Sequence, residues 1–309
     1  MRQLFRLPLL TLAVALAFLA SIFAVAPAQA AGGEVRIVSA NLGSRPSDTA
    51  VSIVDAQQAH VVTFQEICAS EFFRWKNQYG WVGQFTRMTE NFENVGSNDC
   101  GDQEKGQAIL HRPNYTSTVQ RLTLPSGPGG KEFTLMCLDI AGIITDDLHV
   151  CTTHLWQSHA DTENVPGADD SIRASQINKA MDWLGPWATW GRRVIFTGDL
   201  NTGPNTGALT QVYDKYREAS GLRAVPDTDT VNTVSGRKID YIFGDRSVSS
   251  SALSLFTNQY GDGHKILRGR ITFWERRVRG PRRGRAAKRR GVQGVSPALR
   301  HRSCSVDNQ

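Results

Sequence analysis

Five apolar, β-branched stretches each run into a residue able to bind a metal ion or move a proton. Glu34–Ala40 leads to Asn41, Val61–Phe64 to Gln65-Glu66, and Leu148–Thr153 to His154. Val194–Thr197 leads to Gly198-Asp199-Leu200-Asn201, and Lys238-Ile239 to Asp240-Tyr241. Any one of these is an ordinary strand exit, because Asn and Asp favour turns and a lone histidine is more often a satisfied, half-buried side chain. Five together form a set, and in α/β folds the loops beyond strand ends are where sites are assembled. Carboxylates and amide oxygens without thiolates are hard ligands, suited to Mg2+, Mn2+ or Ca2+ rather than zinc. With histidines added, the set holds the ingredients for metal-assisted hydrolysis of a phosphate ester. The i, i+2 spacing of Asp199 and Asn201 puts both side chains on one face of an extended segment.

The elements that must position these residues follow from the apolar pattern. Strands are expected over Glu34–Ala40, His60–Ile67, Gln107–His111, Glu132–Ile140, Leu148–Thr153, Arg193–Thr197, Lys238–Phe243 and Lys265–Phe273. Helices are expected over Ser47–His60, Asp170–Leu184 and Gly207–Ser220. No repeat or linker interrupts the stretch from Gly32 to Phe273. Strand neighbours are both hairpin-linked and helix-linked, which predicts one α/β domain of mixed sheets covered by helices over residues 31–273.

The ordered blocks Ser39-Ala-Asn41, Thr63-Phe-Gln-Glu66, Gly106-Gln-Ala-Ile-Leu110, Thr152-Thr-His154-Leu155, Thr197-Gly-Asp199-Leu-Asn201-Thr202 and Lys238-Ile-Asp240-Tyr241 resemble the endonuclease/exonuclease/phosphatase superfamily. The resemblance covers essentially the whole body of the chain. It implies a DNase I-like four-layer sandwich of two mixed β-sheets flanked by helices, with the site at one edge, and a divalent-metal-dependent phosphoesterase activity. It also implies residue roles. Glu66 looks like the main metal ligand, with Asn41 beside it on a metal-bound water or phosphate oxygen. Asp199 would position or deprotonate the attacking water, and Asn201 would bind a non-bridging oxygen. His154 and His264 would donate to the phosphate, His264 being oriented by Asp240; Glu104 is a loose match for a residue orienting His154. The last block departs from the family. Where the family has adjacent Ser-Asp-His, this chain reads Tyr260-Gly261-Asp262-Gly263-His264. Either Gly263 stands in the Asp slot and a ligand is missing, or Gly263 is a bulge and Asp262, as a metal ligand, and His264 both reach the site. His264 in its slot is the favoured reading, because the following strand register depends on it. An impaired enzyme stays open.

Charge and cysteines complete the expectations. The chain has 309 residues and a formal net charge of +6, but residues 274–309 carry 11 Lys and Arg against 2 acids, while residues 31–273 carry 22 against 27. The body is mildly acidic, which excludes a globally basic nucleic-acid-binding fold. The Arg-rich tail, 274–309, is too poor in apolar residues to fold alone; it either binds polyanions or is a solvated extension. Residues 1–30 combine Arg2 and Arg6, the apolar run Leu7–Ala26 and Ala28-Gln29-Ala30. They read as a cleaved secretory signal, with an uncleaved anchor as the alternative. A secreted, monomeric protein without stable membrane insertion is expected. Such a compartment favours disulfides, Cys137–Cys151 between antiparallel neighbours and Cys68–Cys100 from the remaining pair, over four free thiols. For the substrate, DNA or RNA is favoured; a sphingomyelinase-like phospholipase C, a small phosphomonoester phosphatase and a non-catalytic polyanion-binding module are the alternatives.

Overall fold

The computed structural model describes residues 33–88, 100, 103–127, 130, 132–144, 147–157, 168–220, 238–258 and 263–274. The expected signal at 1–30, most of the Arg-rich tail and Asp262 lie outside them. The chain divides into one unit over Met1–Glu275 and another over Arg276–Gln309. All of the secondary structure described lies in the first unit.

Among the described residues, twelve strands build two six-stranded sheets. The first sheet contains β1 (Glu34–Asn41), β2 (Val61–Cys68), β3 (Val82–Arg87), β4 (Lys105–His111), β11 (Val248–Thr257) and β12 (Lys265–Phe273), in the order β11-β12-β1-β2-β4-β3. The second contains β5 (Thr116–Leu124), β6 (Phe133–Ala141), β7 (Leu148–His154), β8 (Arg193–Asp199), β9 (Tyr216–Glu218) and β10 (Asp240–Asp245), in the order β5-β6-β7-β8-β10-β9. Each sheet has one parallel pair, β1–β2 and β7–β8, among antiparallel ones, so both are mixed. The helices are α1 (Asp48–Ala56), α2 (Ala69–Asn77), α3 (Ala168–Thr189) and α4 (Gly207–Lys215).

The apolar residues sort into three layers. Val35, Ile37, Val61, Ile109, Leu138, Val150, Ile195, Ile242 and Leu267 fill the space between the sheets. Ala50 and Val54 of α1 and Phe72 and Trp75 of α2 cover the outer face of the first sheet. Ile177, Met181 and Leu184 of α3 with Leu209 and Val212 of α4 cover the second. This is the four-layer sandwich that the family resemblance implies. Toward the site edge the inter-sheet contacts turn polar. Gln65 Nε2 donates to Thr152 Oγ1 at 2.7 Å, and Thr197 Oγ1 to Thr63 Oγ1 at 3.0 Å. All four residues are buried, so each bond replaces water that packing excludes.

Several expected elements need correction. The helix expected over Gly207–Ser220 stops at Lys215, where the chain extends and pairs as β9 with β10. The helix expected over Ser47–His60 ends at Ala56, and that over Asp170–Leu184 runs on to Thr189 with Pro186 inside it. Strands β3, β5, β9 and β11 and helix α2 escaped the apolar pattern. β5 and β11 lie at sheet edges and expose much of their length, so their sequences (TSTVQRLTL, VSSSALSLFT) need little apolar character. Helix α2 follows β2 without a break, and its buried side chains are Phe72 and Trp75.

Two disulfides lie among the described residues, Cys68–Cys100 and Cys137–Cys151. The second joins directly opposed residues of β6 and β7. His149 lies close enough to those sulfurs to suggest a metal group, but disulfide sulfurs are not thiolates and ligate poorly.

Backbone proximity is tightest beside the site. Gly198 has φ +147°, and a Cβ there would sit 2.0 Å from the Thr153 carbonyl oxygen of the neighbouring strand. Only glycine meets both demands. Gly198→Ala should therefore cost roughly 2–4 kcal/mol of stability, read as a lowered urea midpoint with an unchanged slope.

Candidate active site

Strand register brings the chemistry to one edge. Asn41 ends β1 and pairs with Gln65; His154 ends β7 opposite Asp199, which ends β8; Asp240 lies opposite Asp199 on the other side. Asp240 opens β10 rather than closing a strand. Because β10 runs antiparallel to β8, its first residue arrives at the same edge as the last residue of β8. His264 immediately precedes β12, which is antiparallel to β1, and reaches the edge in the same way.

Glu66 is delivered by a bulge. The β2–β4 register slips between Phe64 and Ile67, and Glu66 takes φ +52°. A non-glycine residue in this region is strained and persists only where the surroundings enforce it. Here the Glu66 carbonyl accepts from Ser44 N at 2.8 Å, and the Gln65 carbonyl from Leu42 N at 3.0 Å. Asn201 has φ +50°, a conformation asparagine tolerates well. Its N–H donates to Asp199 Oδ1 at 2.9 Å and its Nδ2 to the Leu155 carbonyl at 3.0 Å.

The side chains interlock across the two sheets. Asn41 Nδ2 donates to Glu66 Oε1 at 3.1 Å and to Asp199 Oδ2 at 2.9 Å, while Asn41 Oδ1 accepts from Gly43 N at 3.0 Å. Its amide nitrogen thus faces both carboxylates and ties them together. His154 Nε2 lies 3.2 Å from Glu66 Oε1, 3.5 Å from Asn201 Nδ2 and 3.6 Å from Asp199 Oδ2. His264 Nδ1 meets Asp240 Oδ2 at 2.9 Å, and its Nε2 lies 3.8 Å from Asp199 Oδ2. Gly263, at φ +88°, makes the turn that precedes His264; whether Asp262 joins the group falls outside the described residues. Glu104 is exposed and pairs with Arg87 at 3.4 Å; Glu66, Asn201 and Asp199 are among the contacts of His154.

Charge and burial set the electrostatics. Asp199 is 1% exposed. Burial first, and then the Asp240 charge, push its carboxyl from 3.8 up to about 6, against the opposing pull of His154, His264 and the Asn201 N–H. For Glu66, burial would raise the carboxyl, but the His154 hydrogen bond and charge together with Lys105 outweigh it and hold it well below the usual carboxylate range. Lys105 is the site residue that sequence reasoning missed. It opens β4 and pairs with Glu66; the signal available was its place directly before the Gly106–Leu110 block. Tyr241 is a second addition. Its hydroxyl lies 2.8 Å from the Thr202 carbonyl and 2.9 Å from that of Lys238, pinning the loop after Asn201 to the approach to Asp240.

Ligand atoms of Asp199, Asp240 and His264 lie within 4.8 Å of one another. With Glu66 beside them, this is a carboxylate-rich, thiolate-free donor set that fits a hard divalent cation.

No protein-family model and no curated protein sequence matches the chain. Solved structures match at low identity. The human Nocturnin catalytic domain with bound sulfate anion aligns with a TM-score of 0.59 and 13% identity, over 78% of this chain and 95% of that one. An endonuclease/exonuclease/phosphatase from Bacteroides vulgatus aligns with 0.58 and 12%, over 78% and 99%. Truncated TDP2 from Caenorhabditis elegans aligns with 0.56 and 16%, over 77% and 98%. At these identities the likeness establishes the fold, a DNase I-like α/β sandwich.

The raised Asp199 carboxyl has a consequence for stability. A carboxyl whose folded value exceeds its unfolded one contributes stability below about pH 4 that is lost as pH rises through about 6. Asp199→Asn removes the charge and keeps the oxygen that accepts from Asn201, but replaces the oxygen that accepts from Asn41 Nδ2 with an amide nitrogen, a loss that is the same at every pH. In metal-free protein the stability of the variant relative to wild type should therefore rise by about 1–3 kcal/mol between pH 4 and pH 8, measured by denaturant unfolding at both pH values.

Proposed function

We propose that this protein is a secreted, divalent-metal-dependent phosphoesterase that hydrolyses the phosphodiester bonds of DNA or RNA. The observation that carries the reading is the cluster of Asn41, Glu66, His154, Asp199, Asn201, Asp240 and His264, drawn from six strand ends of two sheets to one buried edge. Purely structural roles would not gather three carboxylates and two histidines at one buried edge, since burying like charges together is costly. The bound sulfate in the Nocturnin structure is consistent with an anion site in this fold.

Glu66 would hold the cation, with Asp199 and Asp240 adding negative charge beside it. When bound, Mg2+ or Mn2+ supplies Lewis-acid polarisation and neutralises phosphoryl charge. The other roles belong to the chain. Asp199, with its carboxyl pushed up to about 6, is basic enough to accept a proton from water near neutral pH and is held in place by Asn41 and the Asn201 N–H. His264, with Nδ1 fixed by Asp240, turns Nε2 toward Asp199, where it donates to a non-bridging phosphate oxygen. His154 presents Nε2 from the opposite strand. Asn201, locked by its bond to Leu155, completes the oxygen-binding side. Secretion rests on the character of residues 1–30 and agrees with the two disulfides.

Plasmid nicking by the purified protein tests the reading. Supercoiled DNA should convert to open circles in Mg2+ or Mn2+, and chelator should stop it. Asp199→Ala should slow nicking by roughly 10²–10⁴-fold. Chelator-resistant nicking, or an Asp199→Ala protein that retains full rate, would overturn the assignment. Absence of nicking by a folded, oxidised protein would move the substrate to a lipid or small phosphate ester, or show the Asp262-Gly263-His264 block to be disabling; deleting Gly263 separates these two.

A further inference from the structure

Glu66 is the carboxylate assigned above to the cation, so any inference about its neighbours rests on that reading. Its two oxygens already meet three polar partners. Asn41 Nδ2 and His154 Nε2 contact Oε1 at 3.1 and 3.2 Å, and Lys105 Nζ contacts Oε2. A carboxylate offers roughly four acceptor positions, so little of Glu66 is left. Asn41 is neutral. Lys105 brings a full positive charge on a partly buried side chain, 18% exposed against 13% for Glu66.

The backbone of Lys105 cannot easily withdraw. It is register-paired with Cys68, which is disulfide-bonded to Cys100. Its carbonyl accepts from Met88 N at 3.0 Å, and the preceding carbonyl, of Glu104, accepts from Ala69 N at 2.8 Å. The ammonium is therefore tethered beside Glu66 by a fixed strand, and only side-chain rotation can move it. A dication on Glu66 would either share the carboxylate with a like charge at contact distance or drive that charge away. Both routes weaken cation binding relative to an uncharged neighbour.

We propose that Lys105 is a built-in competitor for the divalent cation at Glu66, holding the carboxylate in its absence and setting the metal concentration at which the site fills. An ordinary structural ion pair makes a different prediction: losing Lys105 would destabilise the fold and leave cation affinity unchanged.

Mn2+ binding to the purified, oxidised protein, followed by titration calorimetry and by Mn2+ paramagnetic resonance, separates the two. Lys105→Gln keeps a hydrogen-bond donor and removes the charge. It should tighten Mn2+ binding by at least about tenfold, a modest share of what a unit charge exerts at contact distance. Lys105→Arg should restore weak binding, and Glu66→Gln should weaken binding whichever residue stands at 105. Thermal unfolding gives a second readout: the rise in Tm on adding Mn2+ should be larger in Lys105→Gln than in the wild type, because tighter binding stabilises the folded state more. An affinity within twofold of wild type, or a weaker one, in a Lys105→Gln protein with native far-UV circular dichroism would overturn the proposal. Failure of both wild type and Lys105→Gln to bind Mn2+ at millimolar concentration would instead remove the metal-dependent reading on which it stands.

Discussion

Like charges held together out of water are the constraint around which this molecule is organised. Asp199 is buried next to Asp240, with Glu66 tied to it through Asn41. Left alone, such carboxylates would pull in water or protons. The chain surrounds them with groups that make the arrangement tolerable: an asparagine bridging two of them, histidines from β7 and the start of β12, a backbone N–H from Asn201 and a lysine on Glu66. Each group arrives on a different element. The sandwich therefore has to be right in several strand registers at once before the edge is electrostatically acceptable.

The two sheets share this burden unequally. The first contributes Asn41, Glu66, Lys105 and, through the start of β12, His264; the second contributes His154, Asp199 and Asp240. Their alignment is kept by an aliphatic layer in the middle and by the Gln65–Thr152 and Thr63–Thr197 hydrogen bonds close to the edge. Hydrophobic packing is non-directional and would tolerate a small slide between sheets. Buried hydrogen bonds have a preferred geometry and resist it. The polar pins thus convert a merely apolar interface into one with a fixed offset, which a site spanning both halves requires.

Much of this could be read from the amino-acid sequence because strand ends carry recognisable residue types. Asn41, Glu66, His154, Asp199 and Asp240 each follow an apolar run, and the structure brings all five together with Asn201 and His264. What the pattern could not supply was direction. Asp240 looked like a strand end and is a strand start, a distinction that depends on whether β10 runs with or against β8. Lys105 was missed for a related reason, since its importance comes from the register that sets β4 beside β2 and from the bulge that turns Glu66 toward it. Edge strands such as β5 and β11 were invisible because half-exposed sheet positions accept Ser, Thr and Gln as readily as Val. The segment from Tyr216 to Glu218 reads as helix in isolation and pairs as a strand only because β10 offers an edge.

Strand order also dictates when the protein can fold. In the first sheet β1 lies between β2 and β12, and Glu34 pairs with Thr272. A nascent chain emerging residue by residue can form the β6–β7 hairpin early, yet β1 must wait for β12 before its second neighbour exists. Such non-local pairing slows folding. Completion of β12 then closes the sheet and delivers His264 in the same event.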